Sequence, residues 1–190
     1  MSNQESENKL SLAETTYRWL NEYAPQGVFT TDTDLKITSW NHWLAIHSGL
    51  NIRQVLGQDL FSLFPSLRSR KLDKYYQKAL IGQVSFLSQR LHSYLLPMPP
   101  KFKHAAYEQM QQSAHVAPLF DGDEVVGTVT VIEDVTERLV QEAAIRESEA
   151  RYHSLFDGVP IGLYRTTPDG RILDVNEAMV HMLRYPDKET

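Results

Sequence analysis

The 190-residue sequence predicts an α+β fold, an antiparallel sheet covered by helices on one face. Three observations point there. Two short extended segments meet at the Asp-Thr-Asp turn of residues 32–34, apolar residues at helical spacing are broken by Gly and Pro from 41 to 80, and three more extended segments follow.

Ser11-Leu-Ala-Glu14 is a capping box: the Ser hydroxyl accepts from the backbone N–H three residues on, and Glu14 reaches back. It opens a short helix with Leu12, Tyr17 and Leu20 on one face, which Pro25 and Gly27 end. Residues 28–32 and 35–40 form a hairpin. Trp43, Leu44, Ile46 and His47, then Ile52, Val55 and Leu56, then Leu60, Phe61, Leu63 and Phe64 predict short helices divided by Gly49, Gly57 and Pro65. Leu72, Tyr75, Tyr76, Ala79 and Leu80 predict a longer helix ended by Gly82. Strands are expected over 84–96, 105–119 and 125–134, divided by Pro97-Met-Pro-Pro100 and by the Asp121-Gly-Asp123 turn. A helix then runs from Thr136 to Asp157, with Ile145, Ser148, Tyr152 and Leu155 as a stripe suited to pairing with its twin in a homodimer.

The chain repeats itself. Shifted by 135 positions, residues 14–41 align without a gap on 149–176, and nine of the 28 pairs are identical: Glu14/Glu149, Tyr17/Tyr152, Leu20/Leu155, Pro25/Pro160, Gly27/Gly162, Thr31/Thr166, Asp34/Asp169, Ile37/Ile172 and Asn41/Asn176. The second copy runs out at Thr190, so the sequence reads as a fragment. The expected plan is a disordered tail over 1–9, a domain over 10–136, a connecting helix over 137–156 and a truncated second copy over 157–190.

Composition narrows the function. Nineteen Lys and Arg against 24 Asp and Glu give a net charge of -5, which offers no sequence-wide attraction to nucleic acid or an anionic membrane. No apolar run approaches the ~20 residues that span a bilayer, and the N-terminus lacks a secretory pattern, so the expected location is the cytoplasm, without direct membrane contact. The sequence contains no cysteine, which excludes disulfides, thiolate metal sites and thiol nucleophiles. No Ser-His-Asp elbow, phosphate loop or His-Glu-x-x-His is present, so no catalytic residue is assigned and the region is not expected to be an enzyme. His42 and His47 lie five apart and do not stack as metal ligands, and no metal site is assigned.

The order and spacing of several motifs resemble the PAS (sensory box) family. They are Pro25-x-Gly27-Val-Phe-x-Thr-Asp32, Ile37-Thr-Ser-Trp-Asn41, Gly57 with Asp59-Leu-Phe61, and Gly127-Thr-Val-x-Val-Ile-Glu-Asp134-Val-Thr136. Glu147-Ser-Glu-x-Arg-Tyr152 before Pro160-x-Gly162 resembles the junction between tandem copies. The resemblance implies a five-stranded antiparallel sheet enclosing a pocket with short helices. It further implies sensing of a small ligand or partner, or dimerisation, and relay through the exit helix to an output domain in the same chain. A histidine kinase is the first expectation for that output, a diguanylate cyclase or phosphodiesterase the second, and a purely structural dimerisation module is a further alternative.

Within the family, missing cysteine removes the covalent flavin and coumaroyl chromophores, so the cofactor is left unknown. A haem-binding gas sensor stays as an alternative, with His92, His104 and His115 as candidate axial ligands; His92 and His115 read as polar-face strand residues. Arg68, Arg70, Lys71, Lys74 and Lys78 read as a solvated face, or less simply as an anion site. Strand alternation places Val126, Thr128, Thr130 and Ile132 on one face, which the resemblance turns toward the pocket. Asn41, Phe64, Tyr76, Thr128, Thr130 and Ile132 are the candidate pocket residues, Asn41 serving equally as a helix cap. Asp134, Thr136 and Arg138, where the last strand becomes the exit helix, are the candidate signal-transfer residues.

Overall fold

The structure, a computed structural model, describes residues 14–19, 21–102 and 106–185. The chain divides into two compact units, Met1–Glu137 and Arg138–Thr190.

In the first unit, residues 14–19 and 21–23 are helical (α1), and Tyr17 is exposed on them. Ser11, Leu12 and Leu20, which complete the expected capping box and apolar face, lie outside the described residues. Strands β1 (Gly27–Thr31) and β2 (Ile37–Trp40) form the expected hairpin, with a bulge between Thr30 and Thr31. Asp32 builds the turn: its Oδ1 accepts from Lys36 N at 2.8 Å, and its carbonyl accepts from Leu35 N at 3.1 Å. That geometry holds Leu35 at φ 62, a left-handed conformation that costs a branched residue about 1 kcal/mol. Burial of the Leu35 side chain to 5% exposure offsets the cost.

Four one- or two-turn helices follow: α2 (His42–Ser48), α3 (Ile52–Val55), α4 (Leu60–Leu63) and α5 (Ser66–Ser69). Such short helices depend on their caps. Asn41 caps α2, Asn51 and Gln54 form a reciprocal capping box on α3, and Asp59 accepts from Ser62 N at 2.7 Å on α4. Hydrogen bonding to Ser62 keeps the Asp59 carboxyl below its ordinary range against a partial desolvation penalty. The 57–60 segment also runs along the free edge of β2, through Ile37 N to Gln58 O at 2.9 Å and Gly57 N to Ile37 O at 2.8 Å. Helix α6 (Asp73–Leu80) turns Tyr76 and Ala79 inward and packs on the central strands.

Beyond β3 (Ser85–Leu87) the structure departs from the expected strand over 84–96. Ser88 accepts from Arg90 N and starts a one-turn helix, α7 (Gln89–His92), and Ser93 at φ 58 ends it. His92 is therefore a helical residue and not a strand residue. The next strand, β4, begins only at Gln112 and runs to Asp121, so the expected strand over 105–119 was drawn too early. β5 (Glu124–Asp134) completes an antiparallel sheet of order β2-β1-β5-β4-β3. Its inner face carries Phe29, Ile37, Ala114, Val116, Thr128, Thr130 and Ile132, all buried. Val126 does not join that face. The β4–β5 register shifts between Leu119 and Phe120, leaving Val126 as the extra residue of a bulge and 39% exposed.

Helix α8 (Thr136–Gly158) leaves β5. The second unit continues with β6 (Tyr164–Thr166), β7 (Ile172–Val175) and α9 (Glu177–Leu183). This hairpin and helix reproduce those of the first unit position by position. The bulge recurs between Arg165 and Thr166, Thr167 Oγ1 accepts from Arg171 N at 3.0 Å as Asp32 does from Lys36, and Gly170 at φ 88 stands where Leu35 stands. Among the described residues, no helix is long and apolar enough to cross a membrane.

Candidate functional site

Between sheet and helices the first unit is filled by large side chains. Phe29 and Trp40 pack at 5.5 Å between ring centroids, Trp40 stacks on Phe64 at 6.0 Å, and Phe61 meets Tyr76 edge-on at 5.7 Å. Phe64, Tyr76, Thr128, Thr130 and Ile132 thus come together on this interior. Three of them are polar. Thr128 spends its hydroxyl on Thr31 at 2.8 Å, whereas Thr130 Oγ1 donates to Tyr76 Oη over a long 3.5 Å. Complete burial pushes the Tyr76 phenol well above its ordinary range, which the Thr130 hydroxyl only partly counters, so Tyr76 is a neutral hydroxyl group at any physiological pH.

Asn41 stands apart from this group. Its Oδ1 accepts from Val28 N and Leu44 N, each at 3.1 Å, and its Nδ2 donates to Gln26 O at 2.8 Å. One amide therefore joins the chain before β1, β1 itself and the first turn of α2. In the second unit Asn176 does the same with Leu163 N, Met179 N and Ile161 O, at 2.8, 3.0 and 2.8 Å.

At the exit of the sheet, Asp134 Oδ1 accepts from Thr136 N at 2.9 Å, capping the start of α8. The Thr136 side chain faces the other way: its Oγ1 accepts from Gln111 N at 2.8 Å, and Val135 N donates to Gln111 O at 2.9 Å. Thr136 is 3% exposed, so these bonds are shielded from water. Arg138 pairs along its own helix with Glu142 at 3.8 Å, an exposed contact worth at most about 1 kcal/mol.

Gln111 and Gln112 were not singled out in the sequence, and Arg70 was read there only as part of a solvated face or an anion site, yet all three organise this end of the sheet. Gln112 is 2% exposed and spends its amide on the backbone of Leu95 and Leu96. Arg70 donates from Nη2 to the carbonyls of His92 and Tyr94, and its guanidinium lies 4.0 Å over the Tyr94 ring. Arg70 is thus a structural clamp and not part of a solvated basic face. The available signal was two adjacent glutamines opening a strand beside an apolar run, a place where polar side chains need buried partners.

Of the haem candidates, His104 lies outside the described residues. His92 Nε2 lies 3.1 Å from Tyr75 Oη, and desolvation, with Arg70 and Lys74 nearby, lowers its pKa. His115 is exposed on the outer sheet face against Phe86, 4.7 Å between rings. No histidine among the described residues is buried, so this donor set does not fit a haem held in the interior.

A sequence profile described as the PAS fold matches residues 22–140, and one described as a PAS domain matches residues 150–190. No curated protein matches the chain in sequence. Similar solved structures include the phage VqmA–DPO complex, 16% identical with a TM-score of 0.50, covering 75% of this chain and 62% of that one. The PAS domain of BvgS from Bordetella pertussis is 14% identical, TM-score 0.49, covering 74% and 98%. A sensory box sensor histidine kinase from Vibrio cholerae is 21% identical, TM-score 0.43, covering 69% and 94%. The antiparallel sheet of order β2-β1-β5-β4-β3, the capped short helices on its inner face and the profile match over 22–140 agree, and this chain belongs to the PAS family.

Proposed function

We propose that this chain is a cytoplasmic sensory region whose domain over 10–136 receives a small ligand or a partner and relays the event through α8 to an output domain of the same polypeptide, a histidine kinase. The carrying observation is the junction at Asp134 and Thr136. The cap on α8 comes from the last residue of β5, and the next bond from Gln111 at the entrance of the neighbouring strand, so a change in sheet packing bears directly on the helix start. The mechanism is a population shift between two packings, which the stimulus biases by its differential affinity for them. Residues 157–190 act as the beginning of a second sensory copy.

In the intact gene product, Asp134→Ala is expected to change both the basal output and its response to stimulus, read as phosphate transfer from labelled ATP to a histidine. Product formed from GTP instead identifies a cyclase output. Unchanged activity and response would remove the junction from the mechanism.

A second reading, a module that sets dimer geometry and holds no small molecule, draws on the packed interior of Phe29, Trp40, Phe64 and Tyr76. It predicts an intact protein whose output does not respond to any added small molecule but falls when the dimer is broken.

A further inference from the structure

The link between β3 and β4 is far longer than the 2–5 residues that join most hairpins. Its first part, residues 88–98, is not a surface loop. Leu95, Leu96 and Met98 are at most 1% exposed and belong to the same core as Phe29, Trp40 and Tyr76. We call these residues the arm. Burying so much of an irregular segment requires partners for its backbone. They come from two sides.

On one side Arg70, at the end of α5, holds the carbonyls of His92 and Tyr94, and Tyr75 of α6 holds the His92 ring. On the other side the arm lies along the entrance to β4. Gln112 N donates to Ser93 O at 2.8 Å, Met110 N to Met98 O at 2.8 Å, and the Gln112 amide serves Leu95 N, Leu96 N and Leu96 O at 2.9, 3.0 and 2.7 Å. Gln89 Nε2 reaches Gln111 Oε1 at 3.1 Å. Gln111 is the residue whose N–H and C=O hold Thr136 and Val135 at the start of α8.

The bonds of Gln112 to Leu95 and Leu96 and of Gln111 to Thr136 are buried, so breaking any one of them alone leaves a desolvated polar atom without a partner.

We propose that the arm is a switch: its seating in the core and the anchoring of the α8 start are one cooperative event, joined through Gln111 and Gln112. Arm seated, Leu95, Leu96 and Met98 fill the core and α8 is held. Arm lifted, core volume is released and the helix start is freed. The significance of this coupling for output rests on α8 being the relay helix, but the coupling itself is measurable without any output.

The test is amide hydrogen exchange across the whole chain. Arg70→Met keeps the stem and removes the clamp, whose bonds go to His92 and Tyr94 and not to Gln111 or Thr136. The expected result is exchange about tenfold faster at Leu95 and Leu96, with a matching acceleration at Gln111 and Val135 and none at Ile37 in β2. Acceleration at Leu95 and Leu96 alone, or equally at every amide, overturns the proposal. Should Arg70→Met lose its cooperative melt, Thr136→Val decides from the opposite end. It removes the acceptor of the Gln111 N–H and, by reciprocity of coupling, is expected to accelerate Leu95 and Leu96 about as much; no change there overturns the proposal. A silent Asp134→Ala in the output assay would leave this exchange pattern standing, so the two readings fail separately.

Discussion

Asn41 illustrates how much one side chain carries in a domain made of short elements. Its amide satisfies two N–H groups and a carbonyl that nothing else in a hairpin followed by a two-turn helix would reach. Replacing it by Ala leaves buried backbone groups unpaired, and Asn41→Ala is expected to destabilise by about 2–4 kcal/mol in thermal or urea unfolding. Asn41→Asp keeps the acceptor for Val28 and Leu44 and is expected to recover part of that loss. The residue type and its place after a strand were legible in the sequence as a cap. Its third bond, back to Gln26, was not, because it depends on the chain before β1 returning beside the start of α2.

At the scale of elements, the hairpin, α6 and the exit helix were legible because each has a punctuating signal of its own: Asp32, Gly82 and Thr136. The segment after β3 was not. It read as one extended segment, but after Leu87, Leu91 is exposed while the adjacent Leu95 and Leu96 are both buried. Partners distant in sequence decided that geometry: Arg70 and Gln112 capture the backbone and hold it out of a strand. The β5 bulge likewise misplaced Val126 while leaving Thr128, Thr130 and Ile132 inward. The bulge places Gly127 where a Cβ would fall 1.9 Å from the carbonyl oxygen of Thr31, a backbone atom that cannot yield. Gly127→Ala is expected to cost about 3 kcal/mol or more and to melt the β1–β5 pairing, visible as loss of protection at the amides of residues 28–31.

For the molecule as a whole, the repeat is the main thing that the sequence disclosed. The backbone devices of one copy reappear in the other with different residues: Asp32 becomes Thr167, and buried Leu35 becomes Gly170. The second copy supplies the left-handed corner with the residue that adopts it freely, whereas the first uses a strained leucine that its core holds in place. Nothing in the sequence alone distinguishes a strained corner from a relaxed one. On α8, Ile145 and Leu155 of the expected stripe are 58% and 66% exposed. If that stripe pairs with a second chain, Ile145→Glu with Leu155→Glu is expected to raise the dimer dissociation constant by at least about tenfold, measured by light scattering across a dilution series. A monomeric parent chain, or a dimer that both substitutions leave unchanged, would remove the stripe as a pairing surface.

The strip of residues 57–60 along β2 has a consequence for how the protein meets its neighbours in solution. A sheet with open sides is a template onto which foreign strands can add. Here one side is occupied by the chain itself, through Ile37, Gly57 and Gln58, with Lys36 and Asp59 completing the bridge. On the opposite side β3 covers only Ala114 to Val116 of β4, and the rest of that strand, from Ala117 to Asp121, extends past it. The chain thus closes one of the two edges of its own sheet to added strands, and leaves fibrous growth the other edge alone.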